Sequence, residues 1–195
     1  MFCAIAANRT LFWSLAILLL LVSVGCGMPL FSATDTVSEV FDTTATPKIV
    51  VETFNGSIDI SNGADDEVVV EVNKRASGFD QASADRNLEN IEVSIDQEEG
   101  EIRVTVRRHG YTVGDSGGSV VIAAPQGATI DLKTSNGYII SEGMQGGIEA
   151  VSSNARVDVF EGKGEIDVDS SNGNIHIEAT DAIVDAHTSN ARIEF

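Results

Sequence analysis

The stretch Ile166-Asp167-Val168-Asp169-Ser170-Ser171-Asn172-Gly173-Asn174-Ile175-His176-Ile177 sets aliphatic residues six and four positions before an asparagine, and three and five after it. The same spacing surrounds Asn55 in Ile49 to Ile60. Working outward, a small residue stands two positions before an aliphatic one at intervals of nine: Ala128, Gly137, Gly146, Ala155, Gly164, Gly173, Ala182 and Ala191. A doubled period of eighteen is laid over it by Ser135-Asn136-Gly137, Ser153-Asn154-Ala155, Ser171-Asn172-Gly173 and Ser189-Asn190-Ala191. A period sustained this far implies units that bury their apolar faces only by stacking on neighbours. The expectation is an all-β β-solenoid (β-helix) with about 18-residue two-strand coils in the C-terminal half. Residues 37–118 read as broader, less regular coils of the same kind.

Alternation along each strand sends Ile148/Ala150, Ile166/Val168 and Val184/Ala186 inward from one sheet, and Val157/Val159, Ile175/Ile177 and Ile193/Phe195 from the other. Gly and Asn at the corners tolerate the positive φ that a sharp bend requires. The hexapeptide helix of acyltransferases would need an aliphatic residue six after Ile130, where Asn136 stands, so that architecture is excluded. Further strands are expected at 49–51, 58–60, 68–72, 91–95, 102–106 and 120–123, with a hairpin turn at Glu98-Glu99-Gly100. A helical turn is expected within Ala82 to Leu88, and a loop over Gly110 to Gly118.

The N-terminus points to export. The apolar run Leu11 to Val24 follows a single Arg9 and is too short to span a bilayer. It ends Val22-Ser23-Val24-Gly25-Cys26, which resembles a bacterial lipoprotein signal, although Ser23 stands where such signals usually carry an aliphatic residue. Cleavage by an ordinary signal peptidase is the alternative. The expected organisation is a signal peptide over 1–25, a lipidated Cys26 with a tether over 26–36, and the repeat domain over 37–195. Cys3 would leave with the signal, so no disulfide framework is available to the mature chain. A formal net charge of −18 at pH 7 argues against nucleic acid as a partner, because phosphate binding needs clustered Lys and Arg.

The stretch Val120-Val121-Ile122-Ala123-Ala124-Pro125-Gln126-Gly127-Ala128-Thr129-Ile130-Asp131-Leu132-Lys133-Thr134-Ser135-Asn136-Gly137 joins a hydrophobic strand, a Pro-x-Gly turn, a second strand and Thr-Ser-Asn-Gly. This order, with the Ser-Asn-Gly coils after it, resembles the bacterial "putative adhesin" β-helix family of unknown function over roughly residues 37–195. The resemblance implies an extracytoplasmic, often membrane-attached protein and brings no catalytic residue.

Asn136, Asn154, Asn172 and Asn190 are expected to stack as a structural ladder, because amides on strands about 4.8 Å apart can bond along the stack. Ser135, Ser153, Ser171 and Ser189 would stand beside it. Asp131, Glu149, Asp167 and Asp185 form an outward acidic row, either a solvated face or a set of oxygens for calcium. The chain lacks the Gly-Gly-x-Gly-x-Asp turns of calcium-binding β-rolls. His176 and His187 fall on different sheets, and no serine sits in a nucleophile motif. No cofactor is otherwise implied. The expected function is a non-catalytic cell-envelope lipoprotein, membrane-attached at Cys26, that binds a glycan or protein surface or acts as a scaffold. One alternative is an envelope structural or signalling element that self-associates or docks a partner through Ala191 to Phe195, where no polar cap follows the last strand. A remote alternative is a glycan-active β-helix enzyme.

Overall fold

The computed structural model describes residues 31–110 and 114–195. The expected signal peptide and Cys26 lie outside the described residues. Strands β1 (Phe31–Asp42), β2 (Lys48–Thr53), β3 (Ile58–Asn62) and β4 (Glu67–Gly78) precede helix α1 (Gln81–Glu89). They are followed by β5 (Ile91–Glu98), β6 (Glu101–Arg108), β7 (Ser116–Ala124), β8 (Thr129–Thr134) and β9 (Ile139–Glu142). The last four are β10 (Ile148–Ser152), β11 (Val157–Ser170), β12 (Ile175–Thr188) and β13 (Ile193–Glu194).

The strands pair into one mixed sheet in the order β1-β4-β7-β3-β9-β11-β10-β8-β2-β6-β5, with β12 on β11 and β13 on β12. The path turns back on itself at β11, whose first half pairs with β9 and whose second half pairs with β10. Glu161 and Gly164 take positive φ at this corner, and the register with β12 shifts there. A Cβ on Gly162 would stand 2.9 Å from both Ile166 Cδ1 and Val159 Cγ1, so the corner closes directly over core side chains. One wall thus contains β10, β8, β2 and β6, and the facing wall contains β9, β3 and β7. At the far ends of the path, Gln97 Nε2 of β5 donates to the carbonyl of Asp42 in β1 at 3.1 Å. The result is a nearly closed, barrel-like wrap.

This corrects the expected β-solenoid. The eighteen-residue interval survives as a parallel register, with Ile130 beside Ile148, Ile148 beside Ile166, and Ile166 beside Val184. It does not extend to the whole chain. β1 with β4, β4 with β7 and β5 with β6 are antiparallel. The physical reason lies in the connections. The Glu99-Gly100 turn, both residues at positive φ, folds β6 straight back on β5. β1 and β4 are each 12 residues long and zip along their full length, which a short solenoid coil cannot do. Parallel neighbours such as β8 and β10 need a crossover, and here it passes through β9 on the other wall. Phe31–Thr36, expected in the tether, begin β1, and Ser116–Gly118, expected in a loop, begin β7. Residues 82–88 form part of a full helix, started by a capping box in which Ser83 N donates to Asp80 Oδ1 at 2.6 Å.

The core fills the space between the walls with Ile49, Ile102, Ile130, Leu132 and Ile166 from one side and Ile58, Ile122, Ile139, Val157 and Ile175 from the other. Phe195, expected inward, is 79% exposed. At the Ser-Asn corners the backbones approach so closely that a Cβ on Gly173 would fall 1.6 Å from the Ala155 carbonyl oxygen.

Candidate functional site

The four ladder asparagines lie at one edge of the β9 wall and are bonded head to tail. Asn190 Nδ2 donates to Asn172 Oδ1, Asn172 Nδ2 to Asn154 Oδ1, and Asn154 Nδ2 to Asn136 Oδ1, each at 2.9 Å. Each of the three donors also reaches a serine carbonyl, those of Ser135, Ser153 and Ser171. A second ladder lies one layer deeper, and the sequence reading missed it. Thr53, Thr134, Ser152 and Ser170 are buried polar residues. Thr134 Oγ1 donates to the Gly56 carbonyl at 3.0 Å, and Ser170 Oγ donates to the Ala155 carbonyl while accepting from Gly173 N. The signal was available, since a hydroxyl precedes every Ser-Asn pair at 134, 152, 170 and 188. These hydroxyls satisfy corner backbone groups that would otherwise be buried without partners.

The Asn ladder stops at Asn136. By register, Asn55 on β3's side is the next rung, because Ile58 pairs with Ile139. Asn55 turns the other way, its Nδ2 donating to the Ser116 carbonyl at 2.7 Å. The rung after that is Gly117, with no side chain, and then Arg75 and Thr34 across β7, β4 and β1. The parallel row two residues along runs Tyr138, Ser57, Ser119, Asn73 and Thr36. Small residues therefore form a floor between two taller walls, one made by Asn136 and Tyr138 and the other by Asn73 and Arg75. The distance from β9 to β4 is three strand spacings, about 14 Å. The trough so formed has a volume of about 660 Å³.

Its polar atoms are unevenly used. Thr36 Oγ1 donates to Asn73 Oδ1 at 2.8 Å, Lys74 Nζ pairs with Asp35 at 2.8 Å, and the Arg75 guanidinium pairs with Asp115 at 2.6 Å. Lys74, first by its hydrogen bond and then by its charge, holds the Asp35 carboxyl below its ordinary range. Among the described residues, the Asn136 Nδ2, the Asn55 Oδ1 and the hydroxyls of Ser57 and Ser119 carry no hydrogen-bond partner. The Tyr138 ring beside them is 50% exposed.

The acidic row stands on the opposite wall. Asp131, Glu149, Asp167 and Asp185 occupy successive strands in direct register, with Val50 continuing the row. Among the described residues no three His, Cys, Asp or Glu side chains come together to hold a metal ion, the row included. His176 pairs with Glu178 at 3.1 Å on one wall, while His187 lies beside Asp169 on the other. No helix among the described residues is long and apolar enough to cross a membrane.

No family model matches the chain. No curated protein matches it. Among solved structures it is similar to a "putative cell adhesion protein" from Clostridium sporogenes, at 12% identity and a TM-score of 0.40, over 82% of this chain and 99% of that one. It is also similar to a "putative adhesin" from Bacteroides fragilis, at 12% identity and a TM-score of 0.30, over 83% and 97%. A "putative lipid binding protein" from Parabacteroides distasonis follows at 8% identity and a TM-score of 0.29, over 83% and 97%. These solved structures are bacterial proteins named for adhesion or lipid binding, and at these identities the names describe those proteins alone.

Proposed function

We propose that the protein is a non-catalytic binding module of a bacterial cell envelope, displayed outside the cytoplasm and tethered by lipid on Cys26. The observation that carries the reading is the trough. It is a preformed floor fixed by strand pairing on both sides, and it presents unpartnered amide and hydroxyl groups next to a half-exposed aromatic ring. Rigid display of this kind lowers the ordering cost of binding. The apolar run ending at Gly25-Cys26 supports export and anchoring. Two measurements test the proposal. The full chain, expressed in bacteria with a radiolabelled fatty acid, should take up label, and Cys26→Ser should remove it. Purified protein should then be retained on an array of glycans and matrix proteins; no retention on any surface, at a concentration where the protein is folded, counts against the binding reading.

A second reading rests on a separate observation. The outer edge of β12 pairs only with the two residues of β13 among the described residues, and Ile183 on that strand is 78% exposed. Open strand edges recruit further strands. In this reading the protein is an envelope scaffold that pairs with a second copy through β12. Light scattering on the full chain should then show a dimer that Ile183→Lys dissociates, and a monomer at high concentration opposes it.

A further inference from the structure

Resting on the binding-module proposal and naming its ligand, we infer that the trough beside Tyr138 takes an uncharged glycan. Three features of the trough point to that chemistry. The first is the interruption of the amide ladder. Asn55 Nδ2 donates to the backbone carbonyl of Ser116, a bond that the amide oxygen, having no hydrogen, could not make, so the free atom of that amide is its Oδ1 acceptor. Asn136 Oδ1 is committed to Asn154, so its free atom is the Nδ2 donor. A donor and an acceptor on adjacent rungs, about 4.8 Å apart, therefore stand unpaired at the edge of one trough. Vicinal hydroxyls of a pyranose, each able to donate and accept, can satisfy both. The Ser57 and Ser119 hydroxyls on the floor extend the same chemistry.

The second is the ring. Tyr138 stands two residues beyond Asn136 at the corner before β9, both line the trough, and Tyr138 is half exposed. An aromatic face next to unpaired amides suits a sugar, whose ring carries an apolar C–H face with hydroxyls at its rim. The third is charge. The two cations at the trough are each matched by a carboxylate, Lys74 by Asp35 and Arg75 by Asp115. The surrounding chain has a formal net charge of −18, which repels uronic or sulfated sugars as they approach. A peptide fits less well. The floor's backbone is hydrogen-bonded to its neighbours on both sides, Gly56 N to the Asn136 carbonyl and Gly118 N and Val120 N to the Asn55 and Ser57 carbonyls, so it offers no backbone edge for strand addition.

The test uses the full chain and a set of immobilised oligosaccharides, comprising neutral hexose and N-acetylhexosamine oligomers alongside sulfated and uronic ones, with matrix proteins as a parallel set. Titration calorimetry on the best neutral oligomer follows. Tyr138→Ala should weaken binding about ten-fold, the size of a stacking contact. Tyr138→Phe should keep it, and Asn136→Ala should weaken it about three-fold, as for one solvent-exposed hydrogen bond. Tyr138→Ala and Tyr138→Phe should melt with the parent, while Asn136→Ala, which loses the ladder bond from Asn154, should melt slightly lower and still be folded at the assay temperature. The inference is overturned if no neutral oligomer binds, if charged oligomers are preferred, or if binding ignores both Tyr138→Ala and Asn136→Ala. Binding to matrix proteins alone overturns the glycan assignment and leaves the binding-module proposal standing. Binding to neither set removes both.

Discussion

Truncating Ile166 to alanine should cost the fold more than truncating an isoleucine one strand away. Ile166 is fully buried, and it stands in direct register between Ile148 and Val184 in the wall that faces Val157 and Ile175. Strands on both sides are held by backbone ladders, so the gap left by the missing carbons cannot close easily. Large-to-small changes at such sites cost about 2–5 kcal/mol, with poorly relaxing sites in the upper half. Taking about 3.5 kcal/mol and roughly 3 °C per kcal/mol for a chain of this length, the melting temperature should fall by about 10 °C. Ile183 is the internal control. It pairs with Glu165, the residue just before Ile166, and is 78% exposed. Alanine there should change stability by no more than about 0.5 kcal/mol. Thermal melts by circular dichroism at low protein concentration, checked for reversibility, make the comparison. Equal shifts for the two variants, or a larger one at Ile183, would refute the register that places one inward and the other outward.

Asn154 both donates to Asn136 and accepts from Asn172, whereas Asn190 donates without accepting from another rung among the described residues. Asn154→Ala should therefore lower stability by about 1 kcal/mol and Asn190→Ala by less; chemical denaturation measures both, and a reversed order opposes the ladder's direction. Asp167→Lys should raise the melting temperature, because it replaces one of four like charges in register by an opposite one, worth about 0.2–1 kcal/mol. Added salt should shrink the gain, and a fall in melting temperature counts against a repulsive row. The Arg103 and Lys48 hydrogen bonds, followed by their charges, hold Glu101 below its ordinary value of 4.5. Its pairing is thus complete above 4.5 and drains away as pH falls through the lower folded value. Arg103→Gln should move the Glu101 midpoint, followed by carboxyl NMR, up toward 4.5; an unmoved midpoint assigns the depression elsewhere.

The nine-residue beat was legible as register and misleading as architecture. Residues eighteen apart from Ile130 to Val184 do sit side by side, because a repeating apolar pattern in parallel strands has one register that buries every aliphatic residue. Nothing in that beat reports where Phe31–Asp42 or Glu67–Gly78 pair. Their partners are chosen over long sequence separations, and alternation alone does not separate a parallel neighbour from an antiparallel one. The trough was hidden for the same reason. Gly117 reads as a loop residue, and Ser119 falls between that loop and the expected strand, until β7 is placed between β3 and β4; only then do they become the floor between Tyr138 and Asn73. The break in the Asn ladder at Asn55 could not be read either, because it depends on the carbonyl of Ser116, a residue 61 positions away.

The most direct test of the trough is amide and side-chain NMR on the isotopically labelled protein, titrated with the neutral oligosaccharide that binds best. The expected result is a contiguous set of shifts at Asn55, Ser57, Asn136, Tyr138 and Ser119, with none along Asp131, Glu149, Asp167 and Asp185 on the opposite wall. Shifts centred on that acidic wall, or on the β12 edge at Ile183, would contradict the assignment of the site.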